Sequence, residues 1–439
     1  MSIAITKTIQ LLEEIVKVLP VGTNLALLHL MWAMLNGSFL KSRGAVHGAL
    51  AESGFTARQI RRSWSALRYG TWSITELLMR WREIVKREGR WQVREYEGYR
   101  PLAVDITAFW RPRLEGWAGR FFYRLANRLM KGVGLGIVAQ VGHVDGQRMP
   151  LLKHIIRVKE KEMSEAELKA YILHLVPTDI DENEVFVHDA GVGIAEVQAA
   201  RIPRYVIRLD VNSTGRRNYL PPARKRGRPA EYGQKVRPLS RQRLAKIIQA
   251  TPPDMTAEFQ FQGRTIKAQA WLHLVRPDQK VAEVPETFTI WVFFDPLYQK
   301  PLVLGTNLAA EAETIFRLYL DRWPVEQPPL VAKQMLGLHR QFVSSPICVL
   351  RLPELALLVG NILTYLAAVL PVMPTGFWDR QPKRTSGRLR RTLAGAVFPN
   401  QYPFDERLRE KWSVTDHLPK GILAHRRVKR PKIATSTCT

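Results

Sequence analysis

Apolar residues through the first 95 positions recur at helical spacing: Ile9, Leu12, Ile15 and Val16, then a dense run over 25–35. The segment Thr56-Ala-Arg58-Gln-Ile60-Arg61-Arg62-Ser-Trp64 predicts a helix with Thr56 as its N-cap and a basic face. Gly54-Phe55 before it suits a tight turn. Residues 46–53 and 56–67 therefore form either a plain helical hairpin or a helix-turn-helix that presents Arg58, Arg61 and Arg62 to DNA. Trp64, Tyr69, Trp72 and Trp81 read as core aromatics. Near Trp91 the period changes from helical to alternating. Strands are expected at 91–96 and 102–107, then at 132–141 and 149–158 about an Asp145-Gly146 turn. Ser164-Glu-Ala-Glu-Leu-Lys opens a capped helix that runs to Leu175, and 185–189 and 205–209 return to strand. A second hairpin is expected at 258–262 and 265–275 about Gly263, followed by strands at 288–294 and 302–306 and a helix at 309–323. Residues 352–370 are apolar all round and predict a buried helix, because Glu354, Asn361 and the short length argue against a membrane span. Gly22, Asn24 and His29 interrupt the N-terminal apolar run in the same way.

Charge changes the picture more than composition does. The 439 residues are 46% hydrophobic, enough for a large core. Their formal net charge of +27 and pI of about 10.4 call for a polyanionic partner. Nucleic acid and anionic membrane are the candidates, and without a span the first is expected. Gly215 to Pro229 holds Arg216, Arg217, Arg224, Lys225, Arg226 and Arg228 and no acid, a stretch expected to stay loop or extended chain until a partner orders it. Arg226-Gly-Arg228-Pro229 looks like an AT-hook core, so this run either binds phosphates, enters a minor groove, or is a solvated loop. Residues 419–432 form a second basic run, expected as a disordered tail that grips phosphates. Two cysteines, Cys348 and Cys438, give neither a disulfide framework nor a thiolate zinc site. Residues 1–10 lack a basic n-region ahead of an apolar core, so no signal peptide is expected and the protein is assigned to the cytoplasm.

The stretch richest in chemistry is Tyr319-Leu-Asp-Arg322-Trp-Pro-Val-Glu326-Gln-Pro-Pro-Leu-Val-Ala-Lys333-Gln-Met-Leu-Gly337. On an ideal helix, at about 100° per residue, its Tyr, Arg, Glu and Lys fall within an arc of about 60°. One face then carries a phenol, a guanidinium, a carboxylate and an ammonium. That face is either a solvated one with an Arg–Glu pair, or a site where a carboxylate holds a cation and its neighbours hold phosphate oxygens. Two upstream carboxylates end short apolar runs: Pro101-Leu-Ala-Val-Asp105-Ile-Thr107 and Glu184-Val-Phe-Val-His-Asp189-Ala-Gly191.

The skeleton Tyr-x2-Arg-x3-Glu-x6-Lys resembles the signature of the DDE-type insertion-sequence transposases, and the order Asp, Asp, Glu agrees with it. The resemblance covers roughly residues 102–370 and is most specific at 319–337. It implies an α/β protein with an RNase H-like catalytic core, since strand, hairpin, helix, strand is the order of that core. The core is expected at 96–211 and 286–372, split by a basic, β-rich insertion at 212–285. A helical DNA-binding domain at 1–95 and a basic C-terminal region at 373–439 complete the expected plan. It further implies that Asp105, Asp189 and Glu326 are catalytic and hold two Mg²⁺, with Mn²⁺ able to substitute, Asp105 bridging the ions. His188 is expected to pack beside Asp189 rather than to be a ligand. Tyr319, Arg322 and Lys333 are expected on phosphates near the transposon terminus. Trp271 and Trp291 are either core residues or holders of an extruded base. The implied partners are transposon-end and target DNA, bound as a homodimer at the nucleoid, with no membrane. Rival expectations are an RNase H-like nuclease without strand transfer, and a DNA-binding protein descended from a transposase.

One departure stands out. Pro328-Pro329 follows Glu326-Gln327, and neither proline can donate a backbone hydrogen bond. Two segments are expected, one ending near Glu326 and one starting near Pro328. Tyr319, Arg322 and Glu326 are expected to keep a common face, with Lys333 beyond a kink.

Overall fold

Six helices come first: α1 (Ile3–Val16), α2 (Thr23–Leu35), α3 (Ser38–Lys41), α4 (Val46–Glu52), α5 (Ala57–Tyr69) and α6 (Ile74–Glu88). The computed structural model describes residues 2–117, 119–123, 126–158, 163–222, 229–243, 246–283, 286–374, 376–399 and 402–408. Arg224, Lys225, Arg226 and Arg228, and the 419–432 tail, lie outside the described residues. α4 and α5 meet at Gly54, whose φ of 81° only glycine adopts without strain. Thr56 and Gln59 close a capping box on α5. Ile60 and Leu67 bury against α2, which leaves Arg58 and Arg61 exposed and Arg62 half-buried. Trp72 and Trp81 are buried as expected, whereas Tyr69 is exposed.

The period change at Trp91 opens the sheet. β1 (Trp91–Val93), β2 (Arg100–Trp110), β3 (Arg120–Tyr123), β4 (Arg128–Val144) and β5 (Gln147–Arg157) precede α7 (Glu165–Leu175), β6 (Glu184–His188), α8 (Ile194–Ala199) and β7 (Tyr205–Arg208). Asp145 and Gly146 both take positive φ, which makes the β4–β5 turn. Five of these strands lie in the spatial order β5-β4-β2-β6-β7. β2, β6 and β7 pair in parallel, β4 runs against them, and β5, antiparallel to β4, runs the same way as β2. The connections reverse direction between β2 and β6, which opens a crevice at the carboxyl ends of those two strands.

The next segment extends this sheet. β8 (Gly215–Arg217) and β9 (Lys235–Val236) sit at its far edge, and β10 (Arg241–Arg243) with β11 (Lys246–Ile248) makes a separate pair. β12 (Met255–Phe261), β13 (Arg264–Val275), β14 (Phe288–Phe294) and β15 (Leu302–Thr306) follow, and β15 pairs antiparallel with β7. Part of the stretch expected as loop is therefore ordered. Arg217 makes two bonds to Asp254, at 2.5 and 2.7 Å, and Arg216 donates to the carbonyls of Pro277 and Gly233, so both are spent inside the sheet.

α9 (Ala312–Leu320), α10 (Gln327–Leu330), α11 (Pro346–Val369) and α12 (Ser386–Leu393) complete the described elements. α9 covers one face of the parallel strands, against Val185, Val187 and Val206. α11 is the one described helix long and apolar enough to cross a membrane, but 83% of its most apolar window is buried, against α2, α10 and β5. Asn361 on α11 accepts from the Trp81 indole at 2.9 Å, and a single hydrophobic cluster runs from the N-terminal helices through the sheet to α11. The chain is thus a mixed α/β fold around one large mixed sheet.

Candidate active site

Strand register brings the first two carboxylates together. Parallel pairing sets Ala103 beside Val187. Two residues further along each strand come Asp105 and Asp189, at the crevice where the connections reverse. β6 stops at His188, while β2 continues through Trp110 because β4 pairs with it that far, so Asp105 lies mid-strand rather than closing the run. The side chains of both aspartates line one cavity of about 810 Å³, together with Glu326, Arg322 and Lys333.

The signature segment reaches this cavity by a route that one ideal helix cannot describe. α9 ends at Leu320, a 3-10 turn covers Trp323–Glu326, α10 is a single turn, and Val331–Met335 is a π-turn. The cause is the loss of donors at Pro324, Pro328 and Pro329, which removes three helix bonds in six residues and tightens one turn while the next widens. The expectation of a common 60° arc is thus corrected, and the expected break at Pro328 becomes a change of winding instead. The four signature side chains still converge. Tyr319 donates to Asp189 at 3.0 Å, Arg322 pairs with Glu326 at 2.7 Å and approaches Asp189 at 3.6 Å, and Lys333 donates to Thr107 at 2.6 Å. Gly360 lets α11 support the broken segment closely, since a Cβ there would lie 2.7 Å from the Pro328 carbonyl.

The carboxylates differ in their electrostatics. Burial pushes the Asp105 carboxyl up to about 6, aided by the charges of Glu326 and Asp189 and opposed by the Ile106 N–H and Arg322. Burial also works against charge on Asp189, but the Ala190 N–H, Arg322 and the Tyr319 hydroxyl outweigh it and hold that carboxyl below its ordinary value. Burial pushes the Tyr319 phenol up to about 12, with the Asp189 charge adding, so it stays a donor. Burial lowers Lys333 to about 8, partly offset by Asp105. His188 stacks on Phe186, keeps Nδ1 2.8 Å from its neighbour's carbonyl, and is held below its usual value by burial.

Carboxylate oxygens are the donors that Mg²⁺ and Mn²⁺ prefer. Among the described residues no three His, Cys, Asp or Glu side chains cluster about a single point suited to one ion. A site for two ions does not need such a cluster, because each takes one or two carboxylates and completes its shell with water and substrate oxygens. The raised Asp105, between two further acids, fits that use, while Arg322 supplies the positive charge between Asp189 and Glu326.

Several cavity residues carry no motif in the sequence. Thr107 shares a strand face with Asp105 by the two-residue period, and Lys169 on α7 donates to the Gly191 carbonyl at 2.6 Å, closing the loop after Asp189. Arg208 lies 3.4 Å from Asp189. Trp110, Phe122 and Tyr123 line the cavity on the far side. Arg58, Arg61 and Arg62 belong to α5 and do not line it. Trp271 and Trp291 are 0% and 2% exposed, core residues that no base can reach. Compared with known proteins, the chain matches no family model, and no curated protein matches it significantly.

Proposed function

We propose that the chain is a DNA transposase of the DDE type, acting on the ends of a bacterial insertion sequence. The observation that carries this reading is the meeting of Asp105, Asp189 and Glu326 in one cavity beside Tyr319, Arg322 and Lys333. The strand order β5-β4-β2-β6-β7, in which β4 alone runs against the other four, supports an RNase H-like core, and the net charge supports a DNA partner. Asp105, Asp189 and Glu326 would hold Mg²⁺ or Mn²⁺, and the metal when bound would supply activation of the attacking oxygen and neutralisation of the leaving one. Asp105 must be deprotonated to serve, and its raised value leaves it so at neutral pH. Tyr319 and Arg322 hold Asp189 in place, and Arg322 is within reach of a phosphate that displaces it from Glu326. Lys333, fixed by Thr107, offers a point charge to the backbone of the cut strand. Cleavage frees 3′-hydroxyls, which are then joined to target DNA, with two protein copies pairing the two ends at the nucleoid.

A second reading has an observation of its own. Arg322 already occupies the gap between two acids, and three prolines distort the segment that bears Glu326, as in a DNA-binding relic without catalysis. Incubation of purified protein with Mg²⁺ and duplexes taken from the gene's flanking inverted repeats separates the two. The transposase reading expects nicks that leave 3′-hydroxyls. Tight binding with no cleavage in Mg²⁺ or Mn²⁺ overturns it in favour of the relic.

A further inference from the structure

Between Arg111 and Lys131 the sequence holds six Lys or Arg and a single acid, Glu115. Within this stretch β3 and the first residues of β4 form a two-stranded ribbon, pairing Arg120 with Lys131, Phe121 with Met130, Phe122 with Leu129 and Tyr123 with Arg128. Strand alternation gives the ribbon two unlike faces. The inner face is anchored. Phe121 lies across Gly134, where an added Cβ would fall 2.1 Å from the ring, and Trp117 donates to the Gly132 carbonyl at 3.1 Å. Tyr123 packs on Trp110 with ring centroids 5.0 Å apart, and Glu165 of α7 accepts from the Phe122 N–H at 3.1 Å. The outer face is apolar and open: Phe122 is 48% exposed and its cross-strand partner Leu129 is 60% exposed. Arg120, on the same face two residues before Phe122, is exposed, as are Arg113 in the preceding loop and Arg128 at the start of β4. The same ribbon forms one wall of the carboxylate cavity.

An anchored ribbon with an exposed Phe–Leu pair and exposed arginines on the same segment has the chemistry of a wedge for duplex DNA. The arginines hold phosphates, and the apolar pair enters between base steps at the cost of partial unstacking. We propose that the β3–β4 ribbon inserts Phe122 and Leu129 into the duplex beside the phosphate to be cut, kinking the DNA into the cavity. This rests on the transposase reading only for what the kink serves; the wedge itself requires no cleavage. Glu165 fixes the ribbon through its backbone, and the charge of the ribbon excludes an equally basic surface as its natural occupant.

The test uses the full chain in EDTA, with a straight duplex labelled at both ends for energy transfer and carrying the base analogue aminopurine at successive positions. A second duplex contains a short gap that makes it flexible. Wild-type protein is expected to bring the ends together and brighten the analogue at one step. The Phe122→Ala, Leu129→Ala variant should lose both signals, with affinity for the straight duplex falling roughly tenfold to a hundredfold, the range for losing one stacked aromatic contact. Affinity for the gapped duplex should fall much less. An unchanged melting temperature shows that the variant is folded, as expected from two exposed positions. Equal losses on straight and gapped DNA, bending that survives the substitutions, or a change in oligomeric state alone would each overturn the wedge. Bending that depends on Phe122 in a protein that never cuts DNA would sustain the wedge and overturn the transposase reading instead.

Discussion

Asp321 and Arg322 are adjacent in sequence, yet they belong to two ion clusters with opposite fates. Asp321 is 0% exposed and sealed. Arg94 reaches it at 2.7 Å, the Tyr96 hydroxyl at 2.8 Å, and Arg148 at 3.3 Å. That cluster ties the end of α9 to the segment after β1 and to β5, and its one carboxylate is held by two guanidiniums and a phenol. Arg322 points the other way, into a cavity where Asp105, Asp189 and Glu326 outnumber it, although Lys333 lies near. A sealed cluster, its carboxylate closed to ligands, contributes position. An open one with an excess of one sign holds unspent electrostatic energy, which is what a ligand of opposite charge can use.

The comparison breaks most sharply under substitution of the open cluster. Asp105→Ala, Asp189→Ala or Glu326→Ala should each reduce metal-dependent cleavage to background while DNA binding and melting temperature stay near wild type. Normal cleavage by any of these variants would remove that residue from the site. Asp321→Asn should show the reverse pattern. Removing one partner of a buried charge cluster costs about 3 kcal/mol, discounted because Arg94 and Arg148 are partly exposed, and denaturant unfolding measures it. Cleavage per folded molecule should be retained, and a loss of cleavage without loss of stability would make Asp321 part of the chemistry.

A subtler difference lies in pH. The Asp105 carboxyl is raised to about 6 in the fold from an unfolded value near 3.8. Its charged form is disfavoured by folding, so it detracts from stability above about 6, less as pH falls from there, and not at all below the unfolded value. Asp105→Asn should therefore raise the melting temperature at neutral pH by about a degree or two, a gain that vanishes in acid. Mg²⁺ should stabilise the wild type and not this variant. A melting temperature of Asp105→Asn that rises equally at pH 3 and pH 7 would refute the assignment, those values bracketing the range from 3.8 to about 6. The smallest effect belongs to Lys333, lowered to about 8. Its positive charge is present below that value and is lost as pH rises through it. DNA affinity should drop about twofold more between pH 7 and pH 9 for wild type than for Lys333→Gln, the scale of one phosphate contact in moderate salt. Parallel curves would take Lys333 off the DNA path.

Much of this arrangement is legible from local pattern. Alternation and turn chemistry locate β4, β5, β6, β7, β14 and β15 within a few residues, because each has an apolar face and a glycine or aspartate at its turn. Asp105 and Asp189 are readable as a pair because each follows an apolar run, but only pairing register brings them level. The signature's geometry is less readable. Ideal helical phase assumes donors that Pro324, Pro328 and Pro329 lack, and the remaining bonds settle into a 3-10 turn and a π-turn that no periodicity announces. Asp321 reads as a polar residue on a helix, and its burial follows from Arg94, Tyr96 and Arg148, all more than 170 positions away. The ribbon wall is equally hidden, since Phe121 and Phe122 are neighbours of identical chemistry and only the sheet decides which is buried.

The most direct test is a crystal structure of the protein on duplex DNA with Mn²⁺, read by the anomalous signal of the metal. The account predicts manganese on the oxygens of Asp105, shared with Asp189 and with Glu326, and Arg322 moved from Glu326 onto a DNA phosphate. Manganese absent from these carboxylates, with Arg322 still bridging Asp189 and Glu326 and DNA bound elsewhere, would contradict it.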